Sequence, residues 1–452
     1  MGIITYACGQ SVILDSVHID GLQKTREYIV LRELTFHPGD TLELSRVMSL
    51  FRENELQLMN TGLFTKAEFN LERLDLVSQT MSIRIHLVEA WYIYPAPILE
   101  FLDNDPNKWW YNYKLSLQKV SYGAFVTHTN FTGNGDVFTA YGQAGFTRKI
   151  SLQYNFPFLN KSKNFGAGFN FFHARNRDLA YNNFQNKLQF YRDEEEDMLV
   201  RTKFGINLQY RPRLRWTHFL EINTFAIKVN PLVTSLLNSD FLPRRNQFVL
   251  ETSIITRYDS RDIKPYPMYG AYFTGWVNRT GHLTQDEIHI FNLGSHLAVY
   301  VPITERWSTG NILAGSYNLD RGKTPYFYTK TLGYNDESLR GYENYVMNGQ
   351  DYFYSRNSVR FLSLDKKINL GRYMMFKAYR ELPFRVYLTA NFDFGYVKDR
   401  YYFENNTFVN RWLTGGGLGL DLVFYYNKLV RLEYSINHTG EKGIYLHFDA
   451  GL

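Results

Sequence analysis

Beyond Trp91 the chain runs as a succession of stretches, each roughly ten residues long, in which apolar and polar residues alternate. Alternation with a period of two marks strands with two unlike faces. No stretch approaches the ~20 uninterrupted apolar residues that a membrane helix needs, and the mean hydropathy is -0.34. Aromatic residues nevertheless make up 17% of the chain, with 35 Tyr, 35 Phe and 7 Trp. Low hydropathy with so many rings fits a membrane β-barrel, whose short strands set lipid-facing against lumen-facing residues and carry aromatic girdles at both interfaces. At ~10 residues per strand plus a connection, residues 92–452 hold about 16 antiparallel strands. The first is expected near 95–103 and the last near 443–451, with others near 165–175, 198–210, 246–258 and 384–395.

Residues 11–91 read differently, as strand, helix, helix, strand, strand. Val12 to Ile19 is strand-like, and Gly21 ends it in a turn. Thr25 is placed to cap a short helix running to Glu33, which His37-Pro38-Gly39-Asp40 breaks. A second helix is expected from about Leu44 to Met59, stopped by Asn60-Thr61-Gly62. Two alternating strands follow, near 64–71 and 81–88. The fold class is therefore a membrane all-β barrel with one N-terminal α+β domain. Met1 to Gln10, with Gly2-Ile3-Ile4 ahead of small Ala7, Cys8 and Gly9, reads as a signal-peptide remnant without its basic start. Lipidation of Cys8 is left open, because Thr5-Tyr6-Ala7 lacks the usual leucine.

The chemistry that the composition excludes is broad. Net charge is +6, but 50 Lys and Arg are scattered among 44 acidic residues, so no nucleic-acid patch stands out. A single cysteine rules out an intrachain disulfide framework. The 11 histidines show no metal-ligand spacing, and no Gly-x-Ser-x-Gly elbow comes with a triad. Gly415-Gly416-Gly417-Leu418-Gly419 has the look of a phosphate loop, yet no helix follows it, so a bend or a close backbone approach is the better reading. No catalytic residues, metal or cofactor are expected, and the chain is not read as an enzyme.

One polar segment carries the functional reading. Leu339-Arg340-Gly341-Tyr342 sits between two strand-like runs, and an arginine in a loop with this setting suggests a docked loop. Upstream lie Asp259-Ser260-Arg261-Asp262, Pro267 and Gly270, then Tyr300-Val301-Pro302-Ile303; downstream comes Phe392-Asp393-Phe394-Gly395. In that order they resemble the barrel of the BamA and TamA superfamily, whose sixth external loop carries a Val-Arg-Gly-Phe motif; Leu339 and Tyr342 are variants. Residues 11–91, with Gly21, Arg32-Glu33-Leu34, Gly39-Asp40 and Gly62-Leu63-Phe64, resemble a single POTRA domain. The resemblance implies that Arg340 reaches inside the barrel toward an acidic residue on the wall, and Asp393 best matches that position. Gly341 would let the backbone approach the wall.

With the first domain in the periplasm, odd strands run outward and the Arg340 loop, following strand eleven, falls outside. The resemblance then implies an outer-membrane assembly factor of a Gram-negative-type cell, with outer-membrane lipids, unfolded or extended client polypeptides and other envelope-complex subunits as its partners. A client would add to the edge strand at Ala67, Glu68, Phe69, Asn70 and Leu71, and to a poorly paired barrel seam marked by Leu99 and Leu446. A polypeptide-exporting pore and a structural barrel subunit are the alternatives. The connection from Asp365 to Arg380, rich in Lys and Arg, has no role in this reading.

Overall fold

The computed structural model describes residues 11–101, 106–282, 286–334, 337–374, 380–424 and 428–449. The expected signal remnant at 1–10, Cys8 included, lies outside them. The chain opens with β1 (Ser11–Asp20), α1 (Glu27–Glu33), β2 (Thr41–Glu43), α2 (Val47–Met59), β3 (Phe64–Asp75) and β4 (Thr80–Glu89). These strands form one sheet in the order β2-β1-β4-β3, with β1 parallel to β4. The alternation in β1 and β4 puts Val12, Leu14, Ile83, Ile85 and Leu87 on one face, where Ile29 and Val30 of α1 and Phe51 and Leu58 of α2 cover them. Two details differ from the sequence reading. The short β2 was not expected, and Thr25 does not cap α1: Arg26 holds that position. The Thr25 hydroxyl instead meets Tyr92 Oη at 2.7 Å and accepts from Asn130 Nδ2 at 3.0 Å, so a tertiary contact outcompetes the local one.

The second sheet has 16 strands. They are β5 (Ile93–Phe101), β6 (Val120–His128), β7 (Val137–Gly145), β8 (Thr147–Phe156) and β9 (Phe165–Asn176), then, after an excursion through β10 (Asp178–Phe184) and β11 (Lys187–Arg192), β12 (Leu199–Arg213) and β13 (Trp216–Val229). It continues with β14 (Asn246–Asp259), β15 (Gly270–Thr280), β16 (Ile290–Pro302), β17 (Trp307–Asn318), β18 (Asp351–Asn369), β19 (Glu381–Lys398), β20 (Trp412–Phe424), β21 (Lys428–Asn437) and β22 (Lys442–Asp449). A short helix, α3 (Pro106–Tyr111), lies between β5 and β6. Each barrel strand pairs antiparallel with the next, and β5 and β22 stand at the two ends of the order. Period-two alternation decides which way side chains point: on β19, Tyr387, Thr389, Asn391 and Asp393 are buried inward, while Leu388 and Phe392 face out and are half exposed.

Two features go beyond the expected strands. The stretch between β9 and β12 carries the β10–β11 hairpin. The Asp365-to-Arg380 connection is the tip of a ribbon: β18 and β19 stay paired as far as Asn369↔Glu381, whereas β17 leaves β18 at Phe361 and β20 leaves β19 at Phe384.

The N-terminal domain docks on the turns at one barrel end. Arg26 N donates to Gly133 O at 3.0 Å in the β6–β7 turn. The Arg32 guanidinium lies 4.2 Å from the centre of the Phe158 ring in the β8–β9 turn, and Glu33 takes Arg211, near the β12–β13 turn, with Nη2 to Oε2 at 2.8 Å. The Arg340 loop belongs to the opposite end, between β17 and β18.

Glu33 is the electrostatic centre of that interface, 5% exposed. Burial pushes its pKa up, but the hydrogen bond and charge of Arg211, with Arg32 and Gln57, outweigh this and hold it below the ordinary glutamate value. A carboxyl whose folded pKa is depressed contributes fully above its unfolded pKa, and the contribution is lost as pH falls through the folded value. Acidification below the normal carboxylate range should therefore loosen the docked domain, and Glu33→Gln should loosen it at neutral pH by about 1.5–3 kcal/mol. Hydrogen exchange at the β12–β13 turn checks this; an exchange rate that ignores both changes would show the contact to be idle.

Candidate functional site

Arg340 lies inside the far end of the barrel, 4% exposed. Its Nη1 donates to Asp393 Oδ1 at 2.7 Å and its backbone N to Asp393 Oδ2 at 3.1 Å. Its Nε donates to Glu433 Oε1 at 2.7 Å, and Nη2 reaches Ser358 Oγ at 3.4 Å. The guanidinium is thus shared by two buried carboxylates on β19 and β21, two strands that flank β20. Asn391 Nδ2 adds a hydrogen bond to Glu433 Oε1 at 3.0 Å. Charge-assisted bonds of this kind are roughly twice as strong as neutral ones. The arrangement fastens the loop to β18, β19 and β21 of the wall at once.

The sequence reading named Asp393 and missed Glu433. A signal for it existed. On β21, Arg431, Glu433, Ser435 and Asn437 alternate with Leu432, Tyr434 and Ile436, of which the latter three are exposed on the outer face. The parity that turns Leu432 outward turns Glu433 into the lumen.

Glycines make room for the loop. Gly341 has φ +82, and a Cβ there would lie 2.7 Å from Asn437 N; its carbonyl accepts from Asn437 Nδ2 at 2.8 Å. At Gly415 on β20 a Cβ would stand 1.9 Å from Arg340 O. The glycine run therefore lets a loop backbone lie directly on a strand. Tyr342 is buried, donates from Oη to Thr414 O at 3.1 Å, and packs edge-on to Phe408 with centroids 5.3 Å apart. Leu339, Met347 and Leu413 complete this apolar seat.

Other far-end loops close over it. Val346 N donates to Asn186 O at 2.9 Å, Asn186 N to Asn406 Oδ1 at 2.9 Å, and Asn183 Nδ2 to Asn348 Oδ1 at 2.9 Å. The β10–β11 turn, the Arg340 loop and the β19–β20 loop are thereby knitted into one cap. Glu343, Glu433 and His447 offer donor atoms within 4.8 Å of one another, but Glu433 already answers the Arg340 guanidinium, which would repel a metal ion.

The remaining expected residues fall in two places. Ala67, Glu68, Phe69, Asn70 and Leu71 lie on β3, an edge strand of the N-terminal sheet. Ala67 is buried, Phe69 packs on Phe51 with centroids 5.6 Å apart, and Glu68, Asn70 and Leu71 are exposed. Leu99 and Leu446 lie on β5 and β22, the first and last barrel strands, between which no ladder pairing occurs among the described residues. The connection after β5 does reach β22: Tyr111 of α3 donates to Ile444 O at 3.3 Å and its ring lies 6.2 Å from that of Tyr445. Asn112 Nδ2 donates to Asn344 O at 2.9 Å, tying the same connection to the Arg340 loop.

No family model matches the sequence, and no curated protein matches it. Solved structures do. BamA from Haemophilus ducreyi lacking POTRA domains 1-3 superposes with a TM-score of 0.53 at 14% identity, over 97% of this chain and 84% of that one. CdiB from Escherichia coli gives 0.52 at 9% identity, over 98% and 91%, and CdiB from Acinetobacter baumannii 0.51 at 11%, over 97% and 74%. At these identities the likeness is one of fold, and at that level it bears out the resemblance to the BamA and TamA superfamily.

Proposed function

We infer that this chain, a barrel with the fold of BamA and CdiB, is an outer-membrane assembly factor that inserts client polypeptides, with its N-terminal domain acting as a periplasmic POTRA domain. The observation that carries the reading is the seam: β5 and β22 end the sheet without a rung between them among the described residues. Two strand edges that are not laddered to each other are a template onto which an extended client can add main-chain hydrogen bonds. The match to BamA spans 97% of this chain, too much for the N-terminal domain to lie outside it, and this supports the POTRA assignment. Outer-membrane lipids and extended clients are the partners this mechanism needs, and further envelope-complex subunits would deliver the clients.

The free edge of β3 is the proposed first contact. Successive amides of a strand point to opposite edges. Of Glu68→Pro and Phe69→Pro, one therefore removes a donor from the client side and the other breaks a rung to β4. Client crosslinking to β3 should fall for the first and domain stability for the second. Client insertion into liposomes that survives both substitutions, and also removal of residues 11–90, would leave the edge-strand role without support.

Export through the lumen is the second reading, favoured by the similar superposition on CdiB. It requires the cap of interlocked loops to leave the barrel mouth. High single-channel conductance of the purified protein would favour export, and a closed barrel that still inserts clients would favour assembly.

A further inference from the structure

The turn from β14 to β15 does more than join two strands. Residues 260–269 bend into the barrel mouth, and Tyr266, 4% exposed, meets the opposite wall. Its Oη donates to Asp421 Oδ2 on β20 at 2.8 Å, and its ring lies 4.6 Å from that of Tyr387 on β19. The Arg360 guanidinium of β18 lies 4.6 Å from the same ring and donates to Pro267 O at 2.9 Å. Asp421 is in turn held by Arg431 of β21, Nε to Oδ1 at 2.8 Å and Nη2 to Oδ2 at 3.1 Å. Arg431 stands two residues from Glu433, the second acid of the Arg340 clamp.

The other end of the turn is gripped by the N-terminal domain. Asn60, just past the end of α2, donates from Nδ2 to Asp262 O at 2.7 Å and to Arg261 O at 3.3 Å. Lys264 answers with its backbone N to Asn60 Oδ1 at 3.3 Å and its Nζ to Asn60 O at 3.2 Å. Between the two ends the turn fastens itself. Asp262 Oδ1 accepts from Met268 N at 3.0 Å and Tyr269 N at 3.3 Å. Arg261 holds the Asp259 carboxylate through Nε at 2.9 Å and Nη2 at 2.8 Å, and its Nη1 donates to Lys264 O at 3.0 Å. These internal ties brace the segment from one end to the other.

We propose that residues 260–269 form a strut through which the N-terminal domain sets the position of the β20–β21 wall beside the seam, with Tyr266 as the positioning residue. The proposal rests on the assembly reading for its purpose, not for its geometry. Contiguity alone is not coupling, so the decisive property is non-additivity between the two ends.

The test uses the full chain carrying Cys8→Ser, Leu99→Cys and Leu446→Cys, with the rate at which an oxidant traps the seam as readout. Asn60→Ala and Tyr266→Phe should each change that rate about fivefold, the weight of one ordinary hydrogen bond. Together they should change it no more than the larger single effect, because both cut the same connection. Tyr266→Phe keeps the ring and its packing, so the thermal midpoint should hardly move; Tyr266→Ala is the stronger variant where it folds. Multiplying effects, or a trapping rate indifferent to both Tyr266 variants, would overturn the strut. Client insertion measured on the same samples separates the two ideas: a protein that shows the coupling but inserts nothing retains the strut and loses the assembly reading.

Discussion

Arg340→Ala should free the loop between β17 and β18 and expose it to protease from the far end while the barrel stays folded. The substitution strands Asp393 and Glu433, both nearly inaccessible, and breaking one side of a buried ion pair costs about 3–5 kcal/mol. Arg340→Lys should recover only part of this. An ammonium group is a point charge and cannot present Nη1 to one strand and Nε to another. Asp393→Asn and Glu433→Gln should each give a milder form of the alanine phenotype, and either combined with Arg340→Ala should add little to it. Fully additive costs, or a loop already cleaved in the unmodified protein, would mean that the guanidinium locks nothing.

Gly415→Ala should have nearly the same effect without touching a charge. The new methyl group would meet the Arg340 carbonyl at 1.9 Å, a backbone contact that no side-chain rotation relieves. The loop has to rise, and the guanidinium is then drawn away from both acids. Overpacking strain and weakened pairing together should amount to about 3 kcal/mol. Protease sensitivity of the loop measures it, and the effect should largely vanish in an Arg340→Ala background, where the loop has already left. An undiminished cost in that background would place the strain within the sheet rather than at the loop.

The strands of the barrel were legible because each turns one face outward and one to the lumen, and alternation encodes two faces. The segment expected near 384–395 is the inner part of β19, and that near 246–258 is almost the whole of β14. Where the two-faced environment ends, the signal ends. β18 loses β17 beyond Phe361 and β19 loses β20 beyond Phe384, and there Lys366 and Lys367 stand side by side without alternating with apolar residues. The β10–β11 hairpin stands outside the large sheet, with Leu179, Tyr181 and Tyr191 in an apolar cluster among the loops, so the barrel's own pattern does not mark it. At the clamp, the motif around Arg340 pointed to one acid and parity on β21 could have supplied the other. Asn60 and Tyr266 were not legible, since what distinguishes them is a partner some two hundred residues away for Asn60 and 155 away for Tyr266.

The junction of β5 and β22, without a rung among the described residues, also bears on the order in which the molecule comes together. Among the described residues every rung of the large sheet joins a strand to the next one in the barrel, so the sheet can grow strand by strand, with the longest connections to close between β9 and β12 and between β17 and β18. The ends of the sheet approach across the greatest span of chain, where Tyr111 finds Ile444 across 333 residues. Leaving that meeting to side chains means that no register has to be found between strands so distant in sequence. It also means that the last step to form is the first to reverse: amides of β5 and β22 should exchange with solvent well ahead of those in β13 and β14, each flanked by a long ladder on both sides.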